Sequence, residues 1–233
     1  MHDDTSAAAA TQRRTCRIHL VRHGQTVMNA QVRFRGRLEV PLNEVGRAEA
    51  REAARSLVGC GLVAVYTSPL GRAREVAEAI AKTNGVAAVR SQPDLMNLDY
   101  GAWEGLTKEE SAQVDPVAWG NYVADPEMAV CPEGESVADA ADRVVAGLRA
   151  IARRHPGQSV AAVSHGVMLR LAVLRVEGPS DDDWQFAMPT GGAIVFDVDP
   201  DTGEIALVSA LDRSKADPRK ASDAPAALSE RTA

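Results

Sequence analysis

Three short runs carry side chains able to handle an anion: Arg22-His23-Gly24-Gln25-Thr26, Ser68-Pro69-Leu70-Gly71-Arg72-Ala73 and Ser164-His165-Gly166. Two imidazoles and two guanidiniums suit phosphoryl transfer. Forked arginines stabilise the negative charge that spreads over the non-bridging oxygens, and a neutral imidazole can attack phosphorus. Such a cradle makes a metal redundant, so neither a metal nor an organic cofactor is expected. Glycine after each histidine (Gly24 and Gly166) would let the backbone approach a ligand closely. A helix starting behind each loop would aim N–H groups at an anion.

The elements around these runs explain how residues so distant in sequence could meet. Apolar, β-rich stretches over 17–21, 62–67, 86–90 and 159–164 read as strands, and 193–198 with 205–209 as a late hairpin turned at Asp201-Thr202-Gly203. Between them, 43–58 and 69–82 have helical spacing. The clearest helix begins near Ser136, with Val137, Ala140, Ala141, Val144, Val145, Leu148 and Ile151 on one face and Pro156-Gly157 as its stop. This alternation predicts an α/β three-layer sandwich, a mostly parallel central sheet with helices on both faces. Ligands of such sheets bind beyond the carboxyl ends of the strands, where all three runs lie.

Composition fits an ordinary globular chain. Its 233 residues are 45% hydrophobic and 25% charged, enough for one domain without disulfide staples. No stretch approaches the roughly 18 apolar residues of a membrane span, so no membrane association is expected. The net charge of -6 argues against nucleic-acid binding. Cys16, Cys60 and Cys131 lack metal-ligand spacing and fit a reducing compartment, so a cytoplasmic location is expected. Residues 1–14 and 213–233 read as disordered tails flanking a domain over 15–212. The expected partner is a small phosphorylated substrate, with a homodimer left open.

Taken together, the motifs resemble those of the histidine phosphatase superfamily, the branch that includes cofactor-dependent phosphoglycerate mutase and many compact phosphatases. The matching pieces are RHGQT at 22–26, Asn29, RxRGRxExPLNExG from Arg33 to Gly46, SPLxRA at Ser68, GxWEG at Gly101, GES at Gly134 and SHG at Ser164. The resemblance implies a phosphoglycerate mutase-like fold and a phosphohistidine formed on His23. It places Arg22, Arg72 and His165 in the phosphate pocket, with Gly24, Gln25, Thr26, Asn29 and Gly166 lining it. Arg33, Arg35 and Arg37 would face the rest of the substrate, Arg35 being the one taken as a binding residue. Hydrolysis of a small phosphorylated metabolite is the implied activity. A mutase-type phosphotransferase and a low-turnover phospho-ligand-binding relative are the alternatives.

One position departs from the family pattern. Two residues after a leucine and four before the glycine of GxWEG, relatives carry a carboxylic acid that protonates the leaving oxygen; here Leu95-Met96-Asn97 puts an amide there. An amide hydrogen-bonds but does not act as an acid, and general acid catalysis is worth about two to four orders of magnitude. Four answers are open. Asp99 or Glu104 replaces the acid; the substrate has a good leaving group, such as an acyl phosphate, phosphoramidate or phosphoanhydride; the substrate supplies the proton; or turnover is low. His2, His19 and His155 have no motif around them and read as structural or solvated, Arg74 reads as solvated, and Trp103, Trp119 and Trp184 read as packing residues.

Overall fold

The computed structural model describes residues 15–178 and 188–209. The two predicted tails, His2 and Trp184 therefore lie outside the described residues. The chain runs β1 (Cys16–Arg22), α1 (Val27–Ala30), α2 (Glu44–Ser56), β2 (Leu62–Thr67), α3 (Gly71–Thr83), β3 (Val89–Ser91), α4 (Lys108–Val114), α5 (Pro116–Ala124), α6 (Val137–Ala152), β4 (Ser159–Ser164), α7 (Gly166–Glu177), β5 (Ala193–Val198) and β6 (Ile205–Ser209).

One sheet has the order β3-β2-β4-β1-β5-β6. The first four strands are parallel, and β5 and β6 add antiparallel at one side. The predicted α/β sandwich with a mostly parallel sheet is therefore the fold. Successive residues of each central strand face opposite sides, and both sides are apolar. Ile18, Leu20, Ala64, Tyr66, Val160 and Ala162 pack into a core with α6 and α7. Val21, Val65, Ala161 and Val163 pack into a second core with α2 and α3.

Local chemistry sets the helix starts. Asn43 accepts from the Gly46 N–H at 2.8 Å to cap α2, and Ser136 accepts from the Asp139 N–H at 3.0 Å to cap α6. The predicted strand over 86–90 forms later, as Val89–Ser91. The Val86 N–H is held by the Ala81 carbonyl at 2.9 Å, so this residue closes the end of α3 and the chain joins the sheet only at Val89.

The segment carrying α4 and α5 was not anticipated from periodicity. Thr107 and Glu110 form a reciprocal capping box for α4, and Asp115 caps α5 ahead of Pro116. Trp119 and Tyr122 of α5 meet Phe34 and Trp103, with Trp103 and Tyr122 centred 5.4 Å apart, and Phe34 in turn meets Tyr100 at 4.6 Å. Five of the aromatic side chains thus back the loops around residues 34 and 100. Trp103 and Trp119 pack as predicted.

Candidate active site

Register brings the three motif runs together. Arg22 of β1 pairs with Ser164 of β4, so His23 and His165, each one residue further on, leave the sheet side by side. Their rings are 5.1 Å apart, edge to face. On the other side of β4, the Ser68 N–H donates to the Val163 carbonyl at 2.9 Å, extending the β2 pairing up to the same place. Ser68 then lies beside His165, whose Nε2 is 2.8 Å from the serine Oγ. Arg72 sits in the first turn of α3, two residues beyond Leu70, the extended residue that opens the helix.

All four principal residues are buried: His23 0%, Arg72 0%, His165 1% and Arg22 4% exposed. Nδ1 of His23 is 2.6 Å from the Gly24 carbonyl oxygen. A carbonyl only accepts, so Nδ1 carries the proton and Nε2 the lone pair. That Nε2 has no hydrogen-bond partner among the described residues, and neither does Nδ1 of His165. Burial pushes both imidazoles well below their ordinary value, and the charges of Arg72, Arg22 and Arg35 push them further. Both rings are neutral at neutral pH. A neutral imidazole with an idle lone pair beside three guanidiniums can act as a nucleophile towards a bound anion.

Arg35, at 2% exposure, joins this cluster from the loop between α1 and α2. The turn it opens reaches over the site. The Gly36 carbonyl accepts from Nη2 of Arg72 at 2.8 Å and from Nδ2 of Asn97 at 3.0 Å, and the Leu38 carbonyl accepts from Nη1 of Arg72 at 2.7 Å. Arg22 donates to the Met188 carbonyl from the far side. Arg33 and Arg37 face outward instead. Arg33 pairs with Glu110 at 2.7 Å, and Arg37 with Asp99 at 3.0 Å.

The flanking candidates divide. Asn29 completes a capping box with Thr26: its Oδ1 accepts from the Thr26 N–H and hydroxyl, both at 2.9 Å. Its Nδ2 is buried without a partner, so it keeps a donor for a ligand. Thr26 has given its hydroxyl to this cap. Gln25 turns to α2, accepting from Nδ2 of Asn43 at 2.9 Å. Gly24 has a packing role: a side chain there would overlap the backbone of Gly46, so its missing Cβ lets α2 pack against the loop. Gly166 opens α7, a helix with no side-chain cap.

Asn97 is buried, and its side chain reaches the Gly36 carbonyl, leaving Oδ1 without a partner. Its backbone is clamped from α6: Arg143 donates to the carbonyls of Asp94, Met96 and Asn97 and pairs with Glu135 at 2.8 Å. Of the two alternative acids, Asp99 is held by Arg37 and by the Gly101 N–H at 3.0 Å. Glu104 accepts from the Arg37 N–H at 2.7 Å, and burial pushes its carboxyl above the ordinary range. Sequence reasoning missed the contacts of Ser68, Gly36 and Arg143. Ser68 and Gly36 stood inside quoted motifs, whereas Arg143 gave no signal beyond its place on the polar side of α6.

Among the described residues, no three His, Cys, Asp or Glu side chains gather as metal ligands would, and no helix is long and apolar enough to cross a membrane.

Comparison with known proteins gives a consistent picture. Residues 18–210 match the sequence profile of the histidine phosphatase superfamily (branch 1). A metal-independent phosphoserine phosphatase of Arabidopsis thaliana is 39% identical over 161 residues, covering 68% of each chain. The bifunctional protein Rv2228c of Mycobacterium tuberculosis is 39% identical over 162 residues, 67% of this chain but only 44% of that protein. Among solved structures, YhfR of Bacillus stearothermophilus superposes with a TM-score of 0.75 at 30% identity, covering 83% of this chain and 95% of its own.

Proposed function

The chain belongs to the histidine phosphatase superfamily, and from that premise we propose that it hydrolyses small phosphorylated metabolites through a phosphohistidine on His23. The phosphoryl group enters the crevice beyond β1 and β4. Arg22, Arg72 and Arg35 hold its non-bridging oxygens, and Nδ2 of Asn29 donates from the rim. Nε2 of His23 attacks phosphorus as the bond to the leaving oxygen breaks. Water then attacks the phosphohistidine, the N–P bond breaks, and orthophosphate leaves with His23 restored.

The observation that carries this reading is the state of His23: Nδ1–H fixed on the Gly24 carbonyl, and Nε2 buried, neutral and unpartnered. Asn97 cannot protonate the leaving group, so rates fall steeply as leaving-group pKa rises. The Arabidopsis relative makes phosphoserine the first natural substrate to assay.

Replacing His23 tests the reading. His23→Ala abolishes orthophosphate release from phosphoserine and from p-nitrophenyl phosphate. Wild-type protein turning over labelled substrate and quenched in alkaline denaturant retains phosphate that acid then releases, and the variant retains none. Turnover by His23→Ala at the wild-type rate would overturn the proposal.

A further inference from the structure

His165 has no carbonyl to declare its tautomer, as His23 has; Nε2 meets a hydroxyl, which can either donate or accept. We propose that Ser68 is a positioning residue: its hydroxyl donates to Nε2 of His165, fixing the imidazole as the Nδ1–H tautomer so that the buried Nδ1–H meets a phosphoryl oxygen.

The argument is an accounting of buried hydrogens. Ser68 is wholly buried. The Leu70 N–H donates to its Oγ at 3.4 Å, which uses a lone pair and leaves the hydroxyl hydrogen to place. The neighbouring hydroxyls each reach a carbonyl, Thr67 that of Ser68 at 2.9 Å and Ser164 that of Leu95 at 2.7 Å. For the hydrogen of Ser68, the acceptor within reach among the described contacts is Nε2 of His165. Were Nε2 protonated instead, that hydroxyl would be a buried donor with no acceptor. Nδ1 would also carry a lone pair on a ring that feels the charges of Arg72, Arg35 and Arg22. An anion drawn there by the guanidiniums would meet repulsion from the ring. With the proton on Nδ1, the two imidazoles become complementary: His23 presents a lone pair to phosphorus and His165 a donor to oxygen.

The position of the proton follows from Ser68 alone. Its use on a phosphoryl oxygen rests on the phosphatase reading. Long-range nitrogen–proton NMR of the imidazoles reads the tautomer directly, without substrate. Wild type is expected with the His165 proton on Nδ1. Ser68→Ala is expected to move a measurable fraction to Nε2 and to lower kcat on p-nitrophenyl phosphate by about tenfold, less than the complete loss of a preorganised donor. Ser68→Thr, which keeps the hydroxyl, restores both. A wild-type proton on Nε2 would overturn the proposal, and this needs no variant to fold. So would a Ser68→Ala protein that loses activity with its proton still on Nδ1, because that loss would be merely structural. If His23→Ala remains active while the tautomer is as expected, it is the phosphatase reading that fails.

Discussion

The two sides of the crevice are built differently. His23 and His165 reach it from β1 and β4, adjacent strands whose register fixes their separation. Across from them, Asn97, Gly36 and Glu104 arrive on loops and are held by one another: Asn97 on the Gly36 carbonyl, and Glu104 on the N–H of Arg37. The strand side is cationic, with neutral rings. The loop side offers an amide oxygen, carbonyls and carboxylates. In the proposed reaction the phosphoryl group binds the first side and the departing part of the substrate meets the second. The attacking group of that reaction therefore stands at a sheet edge, and the leaving group departs beside a hydrogen-bonded turn with Asn97 at its centre.

Restoring an acid at that centre should produce the largest change. Asn97→Asp is nearly isosteric. A carboxylate there would face the Gly36 carbonyl oxygen in a buried position, so it would take up a proton, which it could then pass to a departing alkoxide. Steady-state rates on alkyl phosphates should rise by about tenfold or more, within the range of general acid catalysis. Rates on p-nitrophenyl phosphate, whose leaving group needs little help, should change far less. An unchanged alkyl rate would mean that the loop side already supplies a proton, and the contrast drawn above would break.

The same contrast explains what could be read from the chain itself. His23, Arg72 and His165 follow apolar, β-rich runs by one to a few residues, so such a run and a motif together place them, and the sheet does the rest. The role of Asn97 in gripping Gly36, sixty-one residues away in sequence, leaves no periodic trace. Nor does Arg143, which braces three carbonyls of the 94–97 loop. At Gly24 the need for a small residue is visible in sequence, but the contact that imposes it, the backbone of Gly46, is tertiary. The helices α4 and α5 are short, and α5 is apolar on most sides, so helical periodicity gave little to detect.

Glu104 offers a smaller effect that sharpens the comparison. Burial raises its carboxyl's affinity for a proton, which makes it, beside Asp99, a loop-side candidate for the acid. Glu104→Gln keeps an oxygen for the Arg37 N–H and removes only the acidic proton. Alkyl phosphate hydrolysis should change by less than about threefold, well short of the general-acid range. A drop of tenfold or more, confined to alkyl substrates and absent with p-nitrophenyl phosphate, would identify Glu104 as the acid.

The gentlest test concerns stability and separates the two sides by pH. His23 and His165 are held below the ordinary imidazole value of 6.5, by burial first and the arginines second, and His19 is lowered by burial as well. Below pH 6.5 the unfolded chain takes up protons that the folded rings refuse, so the unfolded state binds more protons and stability falls with falling pH. The contribution of the neutral rings is therefore complete above about pH 6.5 and declines as the pH drops beneath it. Carboxylates, with an ordinary value of 4.5, enter mainly at lower pH. Between pH 7 and 5 the Tm should fall by on the order of 5 °C, since about 1 kcal/mol moves a chain of this size by a few degrees. Paired His23→Gln and His165→Gln substitutions remove the two strand-side titrations and should leave most of that decline missing, with His19 accounting for what remains. An undiminished slope in the double variant would place the titrating groups elsewhere and deny that the strand side holds neutral, desolvated rings.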